Sequence, residues 1–436
     1  DIPSNLVEIE CYYDRILSLL EQWTWLYQDR ATQILLSESL SCLYLDNFEN
    51  LDNHSLNQLP LGIAKDDWPE ELVFFIEECA RLTFKIPMSK IQPADLAIPK
   101  KLRKCISVKK QHEVNRLAPY VLEQCLQSKI TRIFDIGSGL GYIDRLLATI
   151  GGLSVVGVEL DSDKIERAIK LNKEILEPHV SINITYIPYR LEDSNLEHLC
   201  KQLERYEENG GLVGLHACGD LSAVTLRLFL KMKNLKCLIL MACCYHKMIS
   251  ANSFPLSTVL KKKLCGKKRT IINNNLLRLA SECTKERWCN ETEDLHMAHA
   301  FHVLARAAVE RFLSDYKYKA KRKGRKCVVK QDSLSWGDYV ISWVDRHRVT
   351  NEEGTPISST VVHSQLITYW TKYGHLAKRI VAYTCLQMCL QGVAESLLLL
   401  DKLSFLAETG QISTTVVRIT DPVISPRSVA IIAKKL

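Results

Sequence analysis

The chain has 436 residues, 47% of them hydrophobic and 25% charged, the composition of a globular protein with ample material for a core and not of a fibrous or disordered chain. Its 57 basic residues exceed the 50 acidic ones only slightly, so charge points to nucleic acid only where it is clustered. Sixteen cysteines without framework spacing read as reduced thiols, and an intracellular protein, cytoplasmic or nuclear, is expected. No apolar run suggests the ~18–20 residues of a membrane span and no signal peptide is expected, so no membrane partner is predicted.

Residues 1–104 carry helical patterns such as DRILSLLEQWTWLY and EELVFFIEECARL, which predict a helical N-terminal extension. QHEVNRLAPYVLEQCL then places Val114, Leu117, Ala118, Val121, Leu122 and Cys125 on one helix face. Five short apolar runs follow: TRIFDIG, LSVVGVEL, INITYIP, GLVGLHA and LKCLILMA, with helical patterns such as DSDKIERAIKLNKEI and SAVTLRLFLKMK between them. Such alternation over residues 105–260 predicts a parallel sheet with helices on both faces. Residues 261–412 have mostly helical pattern, far more than a crossover needs, and read as an insertion or subdomain. The closing residues 413–436, within TTVVRITDPVISPRSVAIIAKK, predict a β-hairpin around a Pro-containing turn.

The chemistry starts at FDIGSGLGY, residues 134–142. Gly137, Gly139 and Gly141 follow G-x-G-x-G spacing, with Ser138 between the first two and Asp135 just before them; this is not the dinucleotide G-x-G-x-x-G. A carboxylate there repels a pyrophosphate and suits an ammonium. Glu159, 18 residues past Gly141 at the end of the next run, sits where a carboxylate takes ribose hydroxyls. An ammonium and a ribose without a phosphate describe S-adenosyl-L-methionine; the alternatives are an NAD site and a bare strand-to-helix turn.

LHACGD (His216 to Asp220) and ACCYHKM (Ala242 to Met248) end the fourth and fifth runs, and ligands of open α/β sheets bind outside strand carboxyl ends. Asp220 and His216 are the candidate acceptor-side bases, with Tyr245 and His246 as the facing wall. Cys218, Cys243 and Cys244 read as small buried residues, or as a nucleophile; without a CxxC pair, no metal is expected. His296, His299 and His302 in HMAHAFH read as helix surface, and Cys385 and Cys389 as core. Two basic clusters, Lys317–Lys326 with Tyr316 and Tyr318 interleaved and Lys261–Arg269, are either solvated loops or contacts to RNA phosphates.

FDIGSGLGY with Glu159 resembles the class I S-adenosylmethionine-dependent methyltransferases. Together with KKQHEV, LHACGDL, CCYHKM, FPLS, LARAAVERFL and DPVISPR, it is more specifically similar to the methyltransferase-like protein 25 family. That resemblance implies a seven-stranded Rossmann-like sheet whose last strand is antiparallel. It also implies cofactor binding by Asp135, Gly137, Gly139, Gly141 and Glu159, with Lys109, Lys110, His112 and Glu113 of the pre-loop motif near the methionine end. LHACGD and the Cys-Cys pair are similar to strings in tRNA 2′-O-methyltransferases. An Asn/Asp-Pro-Pro-aromatic string, common in adenine amino-methyltransferases, is replaced here by ACGD. The expected function is methyl transfer, with RNA as the leading acceptor; a protein acceptor and a non-catalytic binding factor are the alternatives.

Overall fold

The structure is a computed structural model describing residues 2–3, 5–91, 106–206, 208–266, 270–323 and 335–436. These residues form two compact units. The first comprises 1–18, 83–284 and 393–436, and the second 19–82 and 285–392. Among the described residues nine strands occur: β1 (Arg132–Ile136), β2 (Ser154–Glu159), β3 (Ile184–Pro188), β4 (Gly210–Cys218), β5 (Leu235–Cys243), β6 (Lys319–Arg322), β7 (His347–Thr350), β8 (Ile412–Arg418) and β9 (Val429–Lys435).

Seven of them make the sheet of the first unit, in the order β3-β2-β1-β4-β5-β9-β8. β1 to β5 run parallel, each covering one of the five apolar runs, and β9 joins β5 antiparallel with Ile239 opposite Ile432. The strands are apolar on both faces because helices cover both. Ile133, Phe134 and Ile136 of β1 are each at most 1% exposed. Helix Val108–Gln127 brings Val114, Leu117 and Val121 onto Ile133, Val155, Ile239 and Ile432 in one core, as its apolar stripe requires. Helix Ser162–Ile175 begins at Asp161, whose carboxylate caps the amides of Asp163 and Lys164. This is the seven-stranded Rossmann-like sheet that the resemblance implies, and its order reverses between β1 and β4, where such sheets open a crevice.

Among its described residues the second unit is helical with a ribbon in which β6 pairs antiparallel with β7. The insertion expected to be mostly helical thus also carries this short ribbon. The unit's core includes Trp23 stacked on Phe75 at 3.9 Å, the Tyr383 hydroxyl donating to the Leu26 carbonyl at 2.8 Å, and the Asn57 amide donating to the Glu291 carbonyl at 2.9 Å. Helix Glu293–Asp315 carries the three histidines, and here surface expectation fails for one of them. His296 is 2% exposed, its Nε2 2.7 Å from Asn57 Oδ1. Burial, and then the neighbouring His299, lower its pKa to about 4.

A second correction concerns apolar length. The helical stretch Ser359–Ala407 is long and apolar enough by composition to span a membrane, but 83% of its most apolar window is buried inside the protein. The sequence pattern was broken up by Lys378, Arg379, Glu395, Asp401 and Lys402. Of these Asp401 and Lys402 are fully buried, which marks a core helix and not a lipid-facing one.

Candidate active site

After β1 the chain turns through Gly137–Gly141 into helix Tyr142–Gly151. The three glycines have φ of 77°, 59° and 68°, where a Cβ is disfavoured. At Gly141 space adds to conformation, since a Cβ there would stand 2.1 Å from the Tyr186 hydroxyl. Gly137 and Ser138 donate their amides to the Val158 carbonyl at 2.8 and 3.3 Å. Gly139 donates to Glu159 Oε2 at 2.9 Å, while Glu159 Oε1 accepts from the Asp161 amide at 3.0 Å. The loop and the acid at the end of β2 therefore hold each other in register.

The loop borders an open cleft of about 700 Å³ at the carboxyl ends of the strands, within the roughly 300–1,000 Å³ of small-molecule sites. Its walls are Ile136 and Gly137 after β1, Val158 and Glu159 of β2, and the whole Tyr189–Ser194 segment after β3. His216 and Cys218 of β4, Asp220 of the next helix, and Lys247, Ser250, Asn252 and Ser253 after β5 complete it. Tyr189, Leu191 and Asp193 of the segment after β3 all line the cleft. Asp193 is fixed by Arg227 Nη1 at 2.6 Å, and the Tyr189 hydroxyl donates to the Asn195 carbonyl at 2.7 Å.

Asp135 is placed differently from its expected role toward an ammonium. It is 2% exposed, lies behind the loop and faces the fully buried Asp144. Burial, and then Asp144, raise its pKa well above the usual carboxyl value, while Asp144 is raised by burial to about 6. Two adjacent buried carboxyls cannot both ionise cheaply, and both are pushed up. Next to them Arg145 Nη1 donates to Asn172 Oδ1 at 2.9 Å. Ser138 is likewise buried, and Gly139 and Gly141 shape the loop from behind the cleft wall.

Lys110, His112 and Glu113 of the pre-loop motif belong to a hub whose partners the sequence did not reveal. Its centre is Glu113, 1% exposed, which meets His216 Nε2 at 2.9 Å, Lys110 Nζ at 3.0 Å and the Ser425 hydroxyl at 2.8 Å. Burial would raise the Glu113 pKa, but His216 and Lys110 outweigh it and bring it down to about 2. His112 Nε2 accepts the Asp421 amide at 3.0 Å, and burial lowers its pKa, in keeping with a neutral ring acting as acceptor. KKQHEV, LHACGD and DPVISPR, far apart in sequence, are one hydrogen-bonded cluster. At its cleft end His216 adopts φ 65° beside an irregularity in the β4–β5 register.

Asp220 lines the cleft, but its carboxylate is engaged. Oδ1 accepts the amides of Ile249 and Ser250 at 3.0 and 3.1 Å, which pins the segment after β5. The expected facing wall of Tyr245 and His246 is not there. Tyr245 is 2% exposed, its amide donates to Ser281 Oγ at 2.9 Å, and Lys402 Nζ lies 5.1 Å from its ring centroid. Burial raises its phenol pKa. His246 turns its Nδ1 inward, and burial lowers its pKa. The cause is local: Cys244 at φ 49° begins a single tight turn, Tyr245–Lys247, and Lys247 is the residue of that turn that reaches the cleft.

Cys218, Cys243 and Cys244 stand with their sulfurs all within 4.8 Å of one another. Cys218 is lowered to about 6, chiefly by its hydrogen bond with Cys243 and further by Cys244, Lys247 and His216, against the opposing effect of burial. Cys243 is raised by that bond and by burial. The described cysteines are all free thiols. Adjacent strands, not a sequence motif, bring the three together, which is why no spacing announced them.

The basic clusters divide. In the second unit Lys319, Lys321 and Arg322 lie on β6, exposed throughout, opposite Arg348 of β7; Tyr316 stacks on Tyr318 at 5.4 Å. This part is an ordered ribbon and not a loop. Arg325 and Lys326 lie outside the described residues, as do Lys267, Lys268 and Arg269. In the first unit Lys263 pairs with Asp14 at 2.6 Å and Lys261 donates to the Leu256 carbonyl at 2.8 Å.

Residues 109–251 match a family described as "Methyltransferase domain". The chain is 27% identical over 259 residues to the Mus musculus protein named "Probable methyltransferase-like protein 25", across 56% of this chain and 40% of that one. It is 27% identical over 258 residues to the Homo sapiens protein of that name, across 56% and 39%. The family resemblance read from the motifs is thus matched by relatives, of whose length the chain spans about two fifths. Among solved structures, the methyltransferase domain of bacterial CtHen1 aligns with 50% of this chain and 93% of its own at 11% identity and a TM-score of 0.23. The plantazolicin methyltransferase BpumL, solved with SAH, aligns with 66% and 88% at 11% identity and a TM-score of 0.22. The fold assignment rests on strand order and direction, not on these two.

Proposed function

We propose that this methyltransferase-domain chain is an S-adenosyl-L-methionine-dependent methyltransferase acting on RNA inside the cell. The observation that carries the donor is the pairing of Glu159 with the positive-φ loop at the rim of the cleft. The residues fit such a cofactor on three counts. Gly137, at φ 77°, lines the cleft without a side chain, so backbone fronts a ligand there. Glu159 offers a carboxylate at the end of β2, suited to ribose hydroxyls. The cleft is large enough and lacks a phosphate-binding lysine in its loop.

When bound, the cofactor supplies an electrophilic methyl group. The chain's own contribution is to position donor and acceptor. Glu159 and Gly137 hold the donor side. The Tyr189–Ser194 segment covers the cleft beside them, and His216, oriented by Glu113, presents a ring at the acceptor side. Asp220 holds the Lys247–Ser250 segment in place through its amide contacts. The preference for RNA is supported by the exposed cationic ribbon of Lys319, Lys321, Arg322 and Arg348 with its stacked tyrosines, which suits phosphates and bases. Free thiols support a reducing, intracellular setting.

Calorimetric titration of the full chain with S-adenosylmethionine and S-adenosylhomocysteine tests the donor. Saturable binding that weakens strongly in Glu159→Ala is expected; no binding, or binding indifferent to that change, sinks it. Incubation with labelled donor and either total RNA or total protein from cells lacking the chain tests the acceptor. Label confined to protein overturns the RNA assignment.

A further inference from the structure

We propose that Cys218, Cys243 and Cys244 form a thiolate site for a zinc-class cation on the floor of the cleft, with its fourth position open toward the acceptor. Three observations carry this. The three sulfurs lie within 4.8 Å of one another, compatible with the ~3.8 Å that separates thiolates on one tetrahedral ion with bonds of about 2.3 Å. Cys218 and Cys243 are direct partners across the parallel β4–β5 pair, and their sulfurs stand 2.9 Å apart, well beyond the ~2.05 Å of a disulfide.

The backbone is also bent to bring in the third sulfur. Successive residues of an extended strand point to opposite faces, so Cys243 and Cys244 would diverge if β5 continued. Cys244 instead takes φ 49°, a left-handed conformation that a residue with a Cβ avoids, and its thiol swings back to the other two. Gly219 makes the approach possible, because a Cβ there would stand 2.6 Å from the Lys247 carbonyl.

Sulfur ligands select zinc and other soft cations over magnesium or calcium. Three protein ligands with one open position are the pattern of zinc sites that take a water or substrate atom. The opening is on the cleft, which Cys218 lines. Lys247, also on the cleft, acts electrostatically on Cys218 and Cys244 and offsets the excess negative charge of three thiolates on a divalent ion. The proposal does not depend on the identity of the methyl donor or acceptor.

The test is cobalt titration of the full chain, stripped of metal by a chelator under reductant. One equivalent of Co²⁺ is expected to bind with a sulfur-to-cobalt charge-transfer band, and zinc to displace it. Cys218→Ser, Cys243→Ser and Cys244→Ser should each abolish or strongly weaken the band, and Lys247→Ala should weaken binding roughly 10-fold. Where a serine variant fails to fold, alkylation of the wild-type chain decides. Zinc should protect these three cysteines and no others, as mapped by mass spectrometry. A folded wild-type chain that gives no charge-transfer band overturns the proposal. So does protection that falls elsewhere, or a Cys218–Cys243 disulfide persisting under reductant.

Discussion

Replacing Glu113 by Gln removes the charge at the hub while keeping its size. The native environment holds the Glu113 carboxyl at about 2 against a usual 4.5, and each tenfold change in proton affinity is worth about 1.4 kcal/mol. Ionised Glu113 thus contributes about 3 kcal/mol over its neutral form, in line with the 3–5 kcal/mol typical of breaking a buried charge pair. Because the folded value lies below the unfolded one, this stability is fully present above pH ~4.5 and is lost as the pH falls toward ~2. The gap between wild type and Glu113→Gln is therefore about 3 kcal/mol at pH 7 and narrows by roughly 1.4 kcal/mol at pH 3.5. Amide hydrogen exchange over helix Val108–Gln127 and the end of β4 is the appropriate assay, combined with urea denaturation followed by circular dichroism. Tryptophan emission alone would mislead, since all seven tryptophans lie in 19–82 and 285–392, the second unit. A loss below about 1 kcal/mol at pH 7, or a gap that does not narrow in acid, would refute the electrostatic account of the hub.

His296 gives the second unit its own pH dependence. With its folded pKa depressed to about 4 from 6.5, the unfolded chain takes up a proton that the native ring refuses, so stability present above pH ~6.5 is lost as the pH falls toward ~4, by up to about 3 kcal/mol. Trp288, 4.2 Å from that ring, reports it by fluorescence, and His296→Gln should flatten the dependence. Asp401, fully buried, accepts the amides of Leu256 and Ser257 at 2.8 and 2.9 Å. Asp401→Ala should cost about 3 kcal/mol in denaturant unfolding through the unpaired amides, with faster exchange at those two amides and a smaller loss in Asp401→Asn. Neutralising Lys319, Lys321 and Arg322 together should weaken single-stranded RNA binding and lower its log–log salt slope by about 2; an unchanged slope in a filter-binding assay would separate the ribbon from phosphate contact.

The sequence by itself determined the sheet. Apolar runs of β-branched residues alternating with amphipathic helices can be buried in few ways, and TRIFDIG to LKCLILMA became β1 to β5 where periodicity placed them. Gly137, Gly139 and Gly141 were legible because their spacing encodes a backbone conformation, and Glu159 because it closes a strand. What surrounds them was decided by tertiary structure. Glu113 stood out only as a member of the KKQHEV motif, near the methionine end by resemblance, with nothing in its own helix to name its distant partners. It becomes a hub only because strand order sets helix Val108–Gln127, the end of β4 and the β8–β9 connection side by side. Asp135 looked like a ligand group because its exposure cannot be read from its neighbours in sequence; the buried Asp144, one turn into the next helix, turned it inward. The expected wall residues Tyr245 and His246 gave way to Lys247 on the cleft through a single left-handed residue, Cys244. That same residue, with the cross-strand pairing of Cys218 and Cys243, gathers three thiols that no sequence spacing joins, because proximity between parallel strands is set by register and not by distance along the chain.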